Sequence, residues 1–243
     1  MSILELKNVS KSYGALTVTD DVSFSLEEGA TLGVIGPNGA GKSTLFNLIG
    51  GTHQVNKGKV TFLGQDVTQV DAAERCRLGV ARSFQIPHPF VGMTVYENLL
   101  VADAFGTTDA HSAEDRCRAI LDQTGLLPKA NLSAGTLSLL ERKRLELARA
   151  LATDPTLLLL DEIAGGLTEG ECKSLVETIK SIRDRGVSII WIEHIVHALT
   201  AVVERLIVID YGRVIADGTP AEVMDLPVVK EIYLGIDIDD QAA

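Results

Sequence analysis

Nine consecutive residues, Gly36-Pro37-Asn38-Gly39-Ala40-Gly41-Lys42-Ser43-Thr44, constrain this chain more than any other feature. They fit G-x-x-x-x-G-K-[ST], a phosphate-binding loop that works only between a strand and a helix. The flanks agree: the apolar run Thr31-Leu32-Gly33-Val34-Ile35 precedes it, and Thr44-Leu45-Phe46-Asn47-Leu48-Ile49 follows with helical spacing. Glycines let the backbone wrap a polyphosphate that side chains would block. Several N–H groups and the positive end of the helix then face the anion. In that geometry Lys42 reaches the terminal phosphates and the Ser43 hydroxyl ligates Mg²⁺. The loop therefore predicts an α/β chain that binds a nucleoside triphosphate together with Mg²⁺.

Composition narrows the setting. At 243 residues and 46% hydrophobic content the chain has the material for one sizeable core. An apolar run such as Leu157 to Leu160 is far too short to cross a bilayer. The start, Met1-Ser2-Ile3-Leu4-Glu5, has no basic region followed by an apolar stretch, so no signal peptide is expected. Cys76, Cys117 and Cys172 are odd in number and widely spaced, as free thiols in a reducing compartment would be. With 22 Lys and Arg against 33 Asp and Glu, the net charge of −11 argues against a nucleic-acid partner. Arg142-Lys143-Arg144 is a local exception, read as a solvated helix face in preference to a binding patch. The expected location is cytoplasmic.

β-like runs occur at Leu4 to Leu6, Val22 to Leu26, Thr31 to Ile35 and Lys59 to Leu63, then at Leu157 to Asp161, Val187 to Glu193, Arg205 to Ile209 and Arg213 to Ala216. Runs 31–35, 157–161 and 187–193 are apolar nearly throughout, as parallel strands covered on both faces are. The others are more polar, closer to edge or antiparallel strands. Between Ile86 and Pro155 helical stretches replace them, at Thr94 to Ala104, Ala113 to Thr124 and Ser138 to Ala152. The tail from Asp237 to Ala243 is expected to fray.

Partner residues decide what the loop does. Leu157-Leu158-Leu159-Leu160-Asp161-Glu162 is an apolar strand ending in two acids. Asp161 is placed to hold the Mg²⁺ water shell, and Glu162 to orient or deprotonate the attacking water. A second apolar strand, Val187 to Glu193, ends at His194, whose imidazole can hydrogen-bond a γ-phosphate.

The order of loop, isolated glutamine, helical insert, L-L-L-L-D-E and strand-end histidine resembles an ABC-type ATPase nucleotide-binding domain over essentially the whole chain. The resemblance implies a P-loop NTPase fold of the RecA-like kind. Its parts are a mostly parallel core sheet (1–85 and 156–243), an antiparallel β subdomain and an inserted α-helical subdomain (86–155). It also implies that Gln85 touches Mg²⁺ and that Tyr13 stacks on adenine. Phe90-Val91-Gly92-Met93-Thr94-Val95-Tyr96-Glu97-Asn98-Leu99, Arg144 to Leu151, Asp210 to Pro220 and Val229 to Gly235 are similar to stretches of the branched-chain amino-acid import ATPases. Lipopolysaccharide-export ATPases share parts of them.

By this resemblance the chain powers an importer. Its partners are a transmembrane permease, a second ABC ATPase subunit closing face to face around two nucleotides and, indirectly, a periplasmic solute-binding protein. The chain would then sit peripherally on the inner face of the cell membrane. Two other readings stay open: a largely regulatory nucleotide-binding subunit of a heterodimer, and a soluble ATPase that remodels a protein assembly.

The chain departs from the family at the L-S-G-G-Q signature, which contacts the γ-phosphate on the opposite subunit. Leu132-Ser133-Ala134-Gly135-Thr136 looks closer by eye. The signature leucine, however, sits about 24 residues before the Mg²⁺ aspartate in such motifs. That register selects Leu137-Ser138-Leu139-Leu140-Glu141, where Ser138 and Glu141 can form a capping box. Ser138 keeps its hydroxyl, but Leu139 and Leu140 obstruct close approach of backbone to phosphate, and Glu141 is expected to repel it. Ile163 stands where a proline is usual, and Thr168 where an aspartate is.

Overall fold

The computed structural model describes residues 2–106 and 112–234, so the expectation for the tail lies outside the described residues. In chain order the strands are β1 (Ser2–Tyr13), β2 (Leu16–Glu27), β3 (Thr31–Ile35), β4 (Lys57–Phe62), β5 (Gln65–Asp66), β6 (Val80–Ser83), β7 (Leu157–Asp161), β8 (Ser188–Ile192), β9 (Arg205–Asp210) and β10 (Arg213–Gly218). The helices are α1 (Lys42–Ile49), α2 (Ala72–Arg77), α3 (Val95–Asp103), α4 (Ala113–Gln123), α5 (Leu139–Ala152), α6 (Glu169–Arg183), α7 (Val196–Thr200), α8 (Pro220–Asp225) and α9 (Pro227–Leu234).

The central sheet runs β10-β9-β3-β8-β7-β6, parallel throughout except for the β9–β10 pair. Period-two alternation explains its unbroken apolar strands. Leu158 and Leu160 face one layer, with α5 and α6, while Leu157 and Leu159 face the other, with α1 and the second sheet. The second sheet, β2-β1-β4-β5, is antiparallel. Its first two strands are twelve residues each, longer than the sequence runs suggest. The register slips between Leu6 and Val9. Asn8 and Asp21 there take left-handed backbone and share a hydrogen bond of 2.9 Å, which breaks the alternation but not the ladder.

Two strands differ in part from the sequence reading. Of the edge or antiparallel alternatives for Arg205 to Ile209, the second holds: β9 lies inside the sheet, antiparallel to β10 and parallel to β3, with only its charged ends leaving the core. β6 carries no clear sequence signal, because it is four residues long and one of them is Arg82.

A third cluster of buried residues joins α3, α4 and α5 through Leu99, Leu121 and Leu145. Helix α5 serves two cores, since Leu147 and Leu151 turn to the central sheet while Leu145 and Ala148 turn to α3 and α4. Among the described residues, no helix is long and apolar enough to cross a membrane.

Candidate functional site

The loop leaves β3 at its end. A Cβ on Gly36 would lie 2.1 Å from the Ile209 carbonyl oxygen, and one on Gly41 2.4 Å from that of Val18. Only glycine fits either place. Gly41, at φ +103°, caps α1 without any side-chain hydrogen bond. The first-turn N–H groups therefore stay available to an anion. They border a pocket of about 200 Å³ lined by Asn38, Gly39, Lys42, Ser43, Thr44 and Glu162, among others. The buried Lys42 ammonium donates to the carbonyls of Gly36 (2.7 Å) and Pro37 (2.9 Å). Burial lowers its pKa, while the charges of Glu162 and Asp161 oppose that shift.

The strand ends supply the acids. Glu162 follows β7 at φ +46°, a left-handed backbone that costs a non-glycine residue about 1–3 kcal/mol. Its N–H is held by the Ile192 carbonyl at 2.9 Å. Both its carboxylate oxygens are taken: Gln85 Nε2 donates to Oε2 (2.5 Å), and His194 Nε2 pairs with Oε1 (2.8 Å). The sequence reading places Gln85 on Mg²⁺ and His194 on phosphate, whereas here both converge on Glu162. Asp161 is buried and bonded to Arg82.

This donor set fits Mg²⁺. Hydroxyl, carboxylate and amide oxygens from Ser43, Asp161 and Gln85 are hard donors with one carboxylate among them, and Mg²⁺ sites commonly combine one or two carboxylates with substrate phosphates. No three His, Cys, Asp or Glu side chains gather into a metal cage among the described residues.

Two further residues lie outside this phosphate pocket: Tyr13, expected on adenine, and Ser138, expected at the opposite subunit's nucleotide. Tyr13, at the end of β1, is 44% exposed, edge-on to His53 (5.8 Å between ring centroids), and does not line the pocket. Ser138 does not line it either. It caps α5 in a box with Glu141, whose Oε2 accepts from the Ser138 N–H at 2.9 Å. Lys129 pairs with the other Glu141 oxygen and keeps that carboxyl below its usual pKa. The Glu141 charge, expected to repel phosphate, is thus largely offset. The rival stretch forms a 3-10 turn at Ala134–Thr136, and Ser133 is bridged to Thr94.

Arg142-Lys143-Arg144 is not one solvated face: Arg142 is exposed and Arg144 half-buried, but Lys143 is buried. Successive helical residues point about 100° apart, so the three diverge. Arg142 binds the Leu137 carbonyl, Arg144 binds Ser174, and Lys143 is buried. Lys143 acts electrostatically on Glu193, which burial, aided by Glu162, pushes up to about 8. Glu193 and Arg82 escape a motif-based reading, and a lone charge within or beside an apolar run is the signal they give, whereas Lys143 is hidden between two arginines.

A groove of about 260 Å³ opens between β6 and α5, lined in part by Arg82, Phe84, Ala102, Glu146 and Arg149. Burial raises the Glu146 carboxyl's pKa against the opposing charge of Arg149, its partner at 3.0 Å.

A mostly parallel sheet, a phosphate loop after β3 and acids at the end of β7, one strand beyond β8, define a P-loop nucleotide hydrolase. Comparison with known proteins sharpens this. A profile described as "ABC transporter" matches residues 19–165, and the chain belongs to that family, as an ATP-binding cassette with ATPase activity. It is 35% identical to a probable branched-chain amino acid transport ATP-binding protein, LivG, of Archaeoglobus fulgidus (97% of this chain, 96% of the relative). It is 33% identical to the lipopolysaccharide export system ATP-binding protein LptB of Escherichia coli (98% and 99%). The ADP conformation of MJ1267, an ATP-binding cassette of an ABC transporter, superposes with a TM-score of 0.89 at 31% identity (97% and 100%).

Proposed function

We propose that this cassette hydrolyses ATP through Glu162 and thereby powers import of branched-chain amino acids or related small solutes. The observation that carries the catalytic part is the double anchoring of Glu162, by Gln85 and His194, at the mouth of the Lys42 loop. Both contacts hold the carboxylate as a hydrogen-bond acceptor aimed at one water. Lys42 and the α1 N–H groups take the phosphates, and Tyr13 takes the adenine. Ser43, Gln85 and Asp161 hold Mg²⁺, which when bound neutralises charge on the transferring phosphoryl group. His194 has a second role, sensing the γ-phosphate.

The working unit is a pair of cassettes, with Ser138 completing the opposite site. We assign the start of the helical insert, near Gln85 to Phe90, as the part that passes motion to a separate permease, beside the groove lined by Phe84 and Arg149. The similarity to LivG and the stretch Phe90 to Leu99 support the cargo, and LptB keeps a lipid exporter as the competing outcome. The signature turn favours a paralogue over a second copy as partner, because Leu139, Leu140 and the capped Glu141 weaken the half-site in which Ser138 meets the opposite nucleotide.

Glu162→Gln protein, tagged and purified from native membranes with Mg²⁺-ATP, tests both parts. Recovery of an amino-acid permease with a second cassette supports the reading. Recovery of lipid-export components overturns the cargo, and a soluble assembly without a permease overturns transport.

A further inference from the structure

Arg82 joins the end of β7, the helix after the phosphate loop and the segment leading to Gln85. Its Nη2 bonds Asp161 Oδ2 at the end of β7, and its Nη1 donates to Asn47 Oδ1 (2.7 Å) on the helix that follows the phosphate loop. The guanidinium carbon lies 5.6 Å from the Phe46 ring centroid and 5.0 Å from that of Phe84, giving the cation an aromatic contact on either hand. Both members of the ion pair are nearly enclosed, with side-chain exposures of 13% and 8%, so the contact is little screened by solvent. Only a planar fork can serve two oxygen acceptors and pack against rings at once, which a lysine ammonium cannot. Arg82 and Phe84 also form part of the groove wall. Phe84 precedes Gln85, which holds Glu162.

We infer that Arg82 is a positioning residue for the Mg²⁺ carboxylate. It fixes one oxygen of Asp161 and leaves the other to the metal's shell, and its contact with Phe84 makes that aim sensitive to whatever presses on the groove. A residue that orients a ligating carboxylate is worth about 10–100-fold in metal affinity. This inference rests on the assignment of Asp161 to Mg²⁺, and the experiment separates the two.

A fluorescent ATP analogue is titrated into the full chain at graded Mg²⁺ for wild type, Arg82→Met, Arg82→Lys, Phe84→Ala and Asp161→Asn, with metal-free affinity as the control. Arg82→Met is expected to raise the Mg²⁺ requirement by about ten-fold or more while metal-free affinity stays unchanged. Arg82→Lys, which keeps the charge and so guards against misfolding, recovers only part of it. Phe84→Ala shifts it the same way by less. Normal Mg²⁺ dependence in both Arg82 variants, with Asp161→Asn defective, overturns the inference and leaves the Mg²⁺ assignment standing. Normal dependence in Asp161→Asn overturns the assignment and the inference with it.

Discussion

Helices α1 and α5 begin in opposite ways, and the contrast separates what this chain does for itself from what it offers a partner. Helix α1 starts at Gly41, with no side chain on its first N–H groups. Helix α5 starts at Ser138, with Glu141 folded back onto the Ser138 N–H and Lys129 seated on Glu141. One N-terminus is left open, where the macrodipole can be used on a phosphate, and the other is closed by the chain's own carboxylate. Helix formation alone needs neither arrangement. The open end costs the helix its cap, and beside it Lys42 and Glu162 line one pocket, with Gln85 and His194 bonded to Glu162. The closed end is a structural optimum.

The largest effects should come from the open end. Lys42→Ala removes the buried ammonium that faces the loop, a change of the kind that costs about 2–5 kcal/mol. ATP affinity measured by calorimetry should therefore fall by about 1.5 to 3.5 orders of magnitude, and unchanged affinity would refute the loop assignment. Next comes Glu162→Gln, which keeps the hydrogen bond from Gln85 but loses the basic oxygen. Turnover should drop by about 10²–10⁴-fold with nucleotide affinity intact. Full turnover in a phosphate-release assay would remove Glu162 from the mechanism.

The open end was legible in the sequence and much of its surroundings was not. Loop, acids and histidine could be found because phosphate chemistry fixes residue types at fixed spacings, as in Gly36 to Thr44. β3 and β7 keep the residue ranges the apolar runs suggest, because strands buried on both faces admit little else. β6 and its Arg82 were missed because four residues carry too little periodicity. Lys143 was misjudged because two neighbouring arginines suggested a surface, while its own burial depends on which side of α5 meets the sheet. The meeting of Gln85 and His194 on Glu162 is a tertiary fact, fixed by how β6, β7 and β8 adjoin.

The closed end yields smaller and more informative effects. Leu140→Gly with Glu141→Gln reopens the turn, so the ATPase rate of a forced homodimer should rise several-fold. The gain is limited to about 1 kcal/mol for each hydrogen bond the turn can newly make to phosphate. Glycine within the first turn costs the helix up to about 1 kcal/mol, so the comparison requires saturating nucleotide and protein. No gain would mean that the closed turn is not what limits the pair.

Ser138→Ala is the smallest change and discriminates best between a cap and a ligand. The hydroxyl accepts the Glu141 N–H at 3.4 Å, a long contact, while the return bond from Glu141 to the Ser138 N–H, at 2.9 Å, does not need it. Loss of the cap should cost about 1 kcal/mol, or roughly 2–4 °C in melting temperature for a chain of this size. Both are readable on the isolated protein without nucleotide. If the hydroxyl also serves the opposite subunit, turnover by a partner cassette with an intact hydrolysis site falls in the same variant, by more than that shift explains. If it is only a cap, the melting point moves and the partner's turnover does not, and the α5 turn has kept its structural role without a nucleotide-binding one.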